Sequence, residues 1–328
     1  MSNLTFEQIC QPITHDLQAI EQILLRETAI RYDFVDQAVR HVVEGGGKRL
    51  RPILVVLSSQ ACGYAGGDGY ILAACVELIH VASLVHDDVL DEAPIRRGRS
   101  TLHSEWGNKV AVLVGDYLHA RVLNMLVTRK AEDPALAILS DAAQAMCEGE
   151  VIHAYKKGDF EISASDYLEI VGLKTGRLIS ASCRMGAIIA TDQPEQIQSI
   201  NDYGEAIGVA FQIIDDLLDF TAETEKFGKR SFNDLREGKL TFPMIYTRQQ
   251  CTPQEREKLE IVFNTEFEEG QTAEWIGHLI DHYQVREYCL QIAQDHANQA
   301  KSALQGLPFT SARVALEQLA DYIVSRDR

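Results

Sequence analysis

The stretch GYILAACVELIHVASLVHDDVLD, residues 69–91, decides the architecture of this chain. Its apolar residues Ile71, Leu72, Ala73, Val76, Leu78, Ile79, Val81, Leu84 and Val85 fall on every side of a helix. A helix that is apolar all round belongs at the centre of a helical assembly, not on its surface. The segment GEAIGVAFQIIDDLLDF, residues 204–220, has the same character through Ile207, Val209, Phe211, Ile213, Ile214, Leu217 and Leu218. Outward from both, helical periodicity continues to either end of the chain, with no sustained period-2 alternation of the kind a sheet requires. Prolines sit mostly where one helical stretch gives way to the next. No Gly/Pro/Ser-rich linker and no repeat of fixed period interrupts the pattern. The expected fold is all-α, a single large helical domain spanning residues 1–328.

Composition bounds what such a domain does. With 46% hydrophobic and 24% charged residues the chain can bury a large core. Its 31 Lys and Arg against 48 Asp and Glu give a formal net charge of -17, which disfavours nucleic acid and anionic membrane surfaces as partners. Seven scattered cysteines form no Cys-x-x-Cys pair, which argues against a zinc site or a disulfide framework and for a reducing compartment. The start, MSNLTFEQICQPITHDL, lacks the basic and apolar blocks of a signal peptide. No apolar run is read as approaching the ~20 residues that span a bilayer. The expectation is a cytoplasmic protein that is not integral to a membrane.

Both central helices end in aspartates. In Asp87-Asp88-Val89-Leu90-Asp91 the first and third carboxylates are four residues apart and lie one above the other on one helix face. They repel unless a cation lies between them, and charges on otherwise buried helices demand one. One such motif is ordinarily a solvated helix end. Asp215-Asp216-Leu217-Leu218-Asp219 repeats the spacing at the C-terminal end of another apolar helix, where the macrodipole opposes negative charge. Oxygen-only ligands of this kind suit Mg²⁺, which keeps several waters and shares itself with phosphate oxygens.

Basic residues occur where an anion would complete such a site. Gly45-Gly46-Gly47-Lys48-Arg49-Leu50-Arg51-Pro52 joins a glycine turn to a proline favoured at the first helical position, so backbone amides, Lys48 and Arg51 make an anion site. Arg96-Arg97-Gly98-Arg99 follows the first acidic motif, just beyond Pro94. His80 lies two helical turns before Asp87 on the same face, and Gln212 lies one turn before Asp215. Lys174-Thr175-Gly176 sits inside a helical stretch read as Tyr167 to Ala190, where glycine costs about 1 kcal/mol against alanine and so marks a kink or a close approach.

Taken together, GGGKRLRP, IHVASLVHDDVLD, RRGRSTLH, VGDYL, LKTG, FQIIDDLLDF and DLREGKLTFP, in that order from Gly45 to Pro243, resemble the trans-type prenyl diphosphate synthases, the geranylgeranyl and longer polyprenyl diphosphate synthases. The ending Tyr322-Ile323-Val324-Ser325-Arg326-Asp327-Arg328 is also similar to that of the family. The resemblance implies the isoprenoid synthase fold, with helices around a central hydrophobic cavity. It also implies a homodimer, and Mg²⁺ as cofactor, three ions with substrate bound. It assigns Asp87, Asp88, Asp91, Asp215, Asp216 and Asp219 to metal binding. Lys48, Arg51, His80 and Arg97 match positions that bind the diphosphate of isopentenyl diphosphate. Arg96, Lys174, Thr175, Gln212, Lys229 and Lys239 match those around an allylic diphosphate, and Asp87, Asp88, Asp91, Asp215, Asp216 and Lys174 are the implied catalytic set. Two positions depart from the family pattern: Phe232 stands where glycine is frequent, in the loop that begins at Phe227, and Gly176 where alanine is usual.

The implied reaction is a head-to-tail 1'-4 condensation in which the allylic diphosphate ionises and isopentenyl diphosphate attacks the cation, with release of a product that can pass to a membrane. Short-chain members usually carry an aromatic group just below the first motif. Ala82 and Ser83 are small there, so a medium- to long-chain all-trans product is expected, with a geranylgeranyl-length product as the alternative. From residue 87 down to residue 75 the helix offers about 18 Å at ~1.5 Å per residue. A terpene cyclase would normally replace the second motif with an Asn/Ser/Glu pattern. A non-catalytic regulatory subunit tends to lose the aspartates, which leaves a catalytic subunit of a two-component synthase as a further alternative. A calcium-binding helical scaffold would not explain Lys48, Arg51, Arg96 and Arg97.

Overall fold

The structure is a computed structural model that describes residues 4–128, 134–221, 232–265 and 270–326. Five helices lead to the first aspartate motif: α1 (Phe6–Cys10), α2 (Thr14–Thr28), α3 (Asp33–Val43), α4 (Leu50–Ala61) and α5 (Tyr70–Leu90). After a hairpin come α6 (Leu102–Trp106), α7 (Asn108–Val127), α8 (Ala135–Lys156), α9 (Ala164–Val171), α10 (Arg177–Ala190) and α11 (Pro194–Thr221), which carries the second motif. The chain then continues through α12 (Asn233–Arg236), α13 (Phe242–Gln250), α14 (Pro253–Asn264), α15 (Gln271–His282), α16 (Val285–Ala303) and α17 (Ser311–Ser325). Local sequence starts several of these: Thr5 with Gln8, and Thr252 with Glu255, form reciprocal capping boxes, and Ser163 and Thr310 cap α9 and α17.

The all-α expectation holds, and α5 is central. Every residue from Leu72 to Ile79 is buried, Glu77 included, and α5 packs against α2, α4, α7 and α10. Helix α11 packs against α10, α16 and α17. One hydrophobic cluster runs from Ile9 to Val324. Small residues let the inner helices approach closely. A Cβ on Gly186 of α10 would lie 2.2 Å from the Val55 carbonyl oxygen of α4, and one on Gly208 of α11 would lie 2.7 Å from the Cα of Gly176.

Four details differ from the sequence reading. Residues 95–100, which hold the basic stretch Arg96-Arg97-Gly98-Arg99 within a pattern expected to be helical and without sheet, form a two-stranded antiparallel hairpin, Ile95–Arg96 against Arg99–Ser100. Its two-residue turn holds Arg97 at φ 51° and Gly98 at φ 74°, the pairing that a tight hairpin with right-handed strand twist needs. The stretch read as one helix with a kink is α9, a π-turn over Gly172–Gly176, and α10, with the Arg177 amide bonded to the Gly172 carbonyl. Both the distortion and the close approach expected at Gly176 are therefore present. Helix α4 begins at Leu50, so Pro52 is its third residue; an N–H there has no intrahelical partner in any case. Finally, α5 and α7 are by length and composition long and apolar enough to cross a bilayer. The reading that no run approaches that length is corrected; α5 reaches it because a core helix surrounded by other helices needs the same composition.

Candidate active site

The C-terminal turns of α5 and α11 open into one cavity of about 680 Å³, closed on its other sides by the N-terminus of α4, the end of α8, α9 with the π-turn, and α17. Its lining contains Asp87, Asp91, Asp215, Asp216 and Asp219 together with Lys48, Arg51, His80, Arg96, Arg97, Lys174, Thr175, Gln212 and Lys239. Residues drawn from nearly two hundred positions of sequence thus converge as the motifs required. Three candidates are absent from its lining, and a fourth, Lys229, lies outside the described residues. Ala82 is fully enclosed and Ser83 is half-buried, its hydroxyl donating to the His80 carbonyl; α5 contributes Glu77, His80 and Leu84 to the cavity instead. Asp88 instead lines a small neighbouring pocket, where its Oδ1 accepts from Nε of Arg96 at 2.5 Å.

On the first side of the cavity the glycine turn wraps an arginine. Gly46 and Gly47 have φ of 78° and 134°, and a Cβ on Gly47 would collide with the Arg97 guanidinium, which also donates to the Gly46 carbonyl. Arg49, left-handed at φ 51°, gives its guanidinium to Glu21 and Glu77 and so carries structure. Arg51 stays in the cavity with its Nε buried and without a hydrogen-bond partner among the described residues. Burial pulls its pKa down to about 10, against the opposing charge of Glu77. His80 is held neutral, well below the ordinary imidazole range, by burial and then by Arg51 and Arg97. Lys48 reaches the Tyr322 hydroxyl at 2.9 Å. A concentration of positive charge with one orphaned buried donor is a surface made for a multiply charged anion.

On the other side, the π-turn pushes Lys174 and Thr175 toward the second motif. Thr175 Oγ1 donates to Gln212 Oε1 at 2.9 Å, and Gln212 Nε2 donates to Asp216 Oδ1 at 2.8 Å. The Tyr167 hydroxyl also donates to Asp216. Lys239 bridges from beyond α12 to Asp91 Oδ1 at 3.0 Å and to Glu237 at 2.6 Å. Burial alone would lower its pKa, but hydrogen bonding and charge from Glu237 and Asp91 outweigh that and raise it. Arg326, just past α17, lies over the Phe211 ring and reaches Asp215 Oδ1 at 3.3 Å.

The carboxylates are under electrostatic stress. Burial raises Asp87 to about 6, Glu150 adding to it while Lys174 and Arg96 oppose. Asp216 is raised well above the carboxylate range by burial and Asp234, and Asp234 to about 7 by burial and Asp219. Such a set accepts cations readily. Asp87, Asp91, Asp215, Asp216 and Asp219 line the cavity and offer only oxygen donors, the kind that Mg²⁺ takes one or two at a time while water and phosphate oxygens complete its shell. The donor set therefore fits the metal.

Sequence reasoning missed Glu77, Glu150, His153, Tyr167 and Asp234, all functional neighbours here. Asp234 was within reach, as an acid fifteen residues past Asp219 in a quoted motif. The others have no local signature. Phe232 has φ 70° and ψ 29°, the left-handed region, which explains why glycine suits that position. Its burial and its edge contact with Phe220, 5.5 Å between ring centres, offset the backbone cost here. Residues 222–231, which precede it, fall outside the described residues.

Comparison with known proteins agrees with this geometry. The family model described as polyprenyl synthetase matches residues 32–280. Octaprenyl diphosphate synthase of Escherichia coli (strain K12) is 35% identical, over 99% of this chain and 100% of its own length. Heptaprenyl diphosphate synthase component 2 of Geobacillus stearothermophilus is also 35% identical, over 96% of this chain and 97% of its own. The crystal structure of polyprenyl synthase from Caulobacter crescentus CB15, complexed with calcium and isoprenyl diphosphate, superposes with a TM-score of 0.93 at 33% identity, covering 100% of both chains. Two aspartate motifs and two sets of bases around one cavity, on this fold, place the chain in the polyprenyl synthetase family, as a prenyltransferase of the polyprenyl diphosphate synthase type.

Proposed function

We propose that this chain, folded as a single domain, makes a medium- to long-chain all-trans polyprenyl diphosphate by Mg²⁺-dependent 1'-4 condensation of isopentenyl diphosphate with an allylic diphosphate. The observation that carries this reading is the division of the bases around one cavity. Lys48, Arg51, His80 and Arg97 line it with the glycine turn, Lys174, Thr175, Gln212 and Lys239 line it around the second aspartate motif, and Arg96, bonded to Asp88, lines it beside the first. Two anion sites in one cavity fit two diphosphate substrates.

In the proposed reaction, Lys174, Lys239 and Arg96 hold the allylic diphosphate and stabilise the charge that grows on it as the C–O bond breaks. Arg51, Arg97, Lys48 and the neutral His80 hold the second diphosphate so that its double bond faces the cation. Asp87, Asp91, Asp215, Asp216 and Asp219 would hold Mg²⁺, which supplies Lewis-acid withdrawal of charge from the leaving group. Asp88, bonded to Arg96, acts by orienting that arginine in this arrangement. The cavity's apolar walls, including Leu84, Ile170 and Phe211, keep water from the carbocation. No side chain is placed as a dedicated base, and the released diphosphate takes the proton.

The similarity to octaprenyl and heptaprenyl diphosphate synthases supports the longer product, whereas Ala82 and Ser83, though small, do not line the cavity. Exposed apolar side chains on α7 (Val112, Leu113, Leu123, Val127) and α8 (Val151, Ile152, Tyr155) support a homodimer through these helices. Seven free cysteines support a cytoplasmic setting. Incubation of the purified chain alone with Mg²⁺, labelled isopentenyl diphosphate and an allylic primer, followed by mass spectrometry of the dephosphorylated product, tests the reading. Asp87→Ala or Asp215→Ala should lower turnover by roughly a hundredfold or more with the fold intact. A chain inactive alone but active with a second protein would instead favour a catalytic subunit of a two-component synthase, a reading that the similarity to a heptaprenyl component 2 supports.

A further inference from the structure

We propose that His153 is a positioning residue for the allylic site: a neutral imidazole, protonated on Nε2, whose Nδ1 fixes the direction of the Lys174 ammonium. This deepens the proposed function and rests on its assignment of Lys174 to the allylic diphosphate.

Helix α8 and the π-turn build the arrangement. Gly149 faces the π-turn so closely that a Cβ there would lie 2.8 Å from Leu173 Cβ, 2.9 Å from Lys174 Cγ and 3.0 Å from the Lys174 amide nitrogen. With no side chain at 149, the two backbones approach until the residues following Gly149 on α8 reach the lysine head. Glu150 pairs with Lys174 Nζ, and His153, one turn further on, places Nδ1 2.9 Å from the same nitrogen. An ammonium has only donors, so Nδ1 accepts, and the ring proton of the neutral tautomer sits on Nε2. Burial, followed by the charges of Lys174 and Lys239, pushes the imidazole down to about 3, in keeping with a neutral ring. Two of the three Lys174 N–H bonds are thereby fixed, and the third is left for a substrate oxygen in the cavity that Lys174 and His153 both line. Without His153 the lysine is held at one point and its four-carbon stem is free to swing.

The experiment is a steady-state comparison with farnesyl diphosphate as primer, each substrate varied in turn. His153→Ala should raise KM for the primer roughly tenfold, the size of one charge-assisted hydrogen bond, with KM for isopentenyl diphosphate unchanged. His153→Asn, whose Oδ1 stands near the position of Nδ1 and accepts but cannot be protonated, should return KM to within about threefold of the parent. In a Lys174→Ala background, His153→Ala should add nothing further, because its effect runs through the lysine. Equal losses in the Ala and Asn variants, equal effects on both substrates, or additive effects with Lys174→Ala would each overturn the inference. If Lys174→Ala leaves primer KM unchanged, the reading of Lys174 fails and takes this inference with it. If that variant raises primer KM and His153→Ala does not, the inference alone fails. Circular dichroism and thermal unfolding establish that each variant is folded, and the Asn variant keeps the comparison decisive if Ala disturbs α8.

Discussion

At the residue scale the cavity is a set of charges that cannot all be satisfied by the protein. Asp87 is pushed up to about 6 and Asp234 to about 7, burial being the first cause in each. Carboxyls whose folded pKa lies above the unfolded value of about 4 stabilise the fold when protonated. That contribution is complete below about pH 4 and is lost as pH rises through the folded values, so metal-free protein should lose stability between roughly pH 5 and pH 8. In the proposed function Mg²⁺ would compete with those protons. Thermal unfolding with and without Mg²⁺ should therefore show a larger stabilising shift at pH 8 than at pH 5; equal shifts would mean that these carboxylates do not bind the ion. The opposing charge is as constrained. Arg51 holds a buried Nε without a partner among the described residues, and the neighbouring Arg49 spends its guanidinium on Glu21 and Glu77, so two arginines two residues apart serve different ends.

At the element scale, helices are brought close enough for these side chains to meet by glycines at crossing points. Gly208 on α11 meets Gly176 at the end of the π-turn, and an added Cβ would sit 2.7 Å from the Gly176 Cα. Backbone cannot yield as a flexible side chain would, so Gly208→Ala should cost about 1–3 kcal/mol in chemical denaturation and should also lower turnover by displacing Lys174 and Thr175. A loss of stability without loss of turnover would separate the packing role from the site. On α5 the question is product length. Ala82 is fully enclosed, whereas Ser83 is half-buried and better able to accept a larger group. Ser83→Phe should shift the main product to a shorter chain by mass spectrometry; an unchanged profile would place the floor of the tunnel on another helix.

At the scale of the whole molecule, α7 and α8 carry seven of the exposed large apolar side chains among the described residues. Residues 112, 123 and 127 share a face of α7 by helical spacing, and Val151 and Tyr155 share one of α8, the latter 85% exposed. Leu123→Glu combined with Val127→Glu should convert a dimer to a monomer in sedimentation velocity, with far-ultraviolet circular dichroism unchanged. A parent chain that already sediments as a monomer would remove the dimer reading. The sequence by itself determined the all-helical class, the two aspartate motifs and most of the bases, because apolar periodicity and i, i+4 spacing are local properties and a buried acid has few reasons to exist. It could not determine that Asp88 turns to Arg96 and out of the cavity, that Arg96 and Arg97 ride on a hairpin, or that Glu150 and His153 clasp Lys174. Asp88 meets Arg96, eight positions on, only because the hairpin folds back against α5, and Lys174 meets Glu150 and His153, 24 and 21 positions away, only when tertiary packing brings α8 and the π-turn within hydrogen-bond reach.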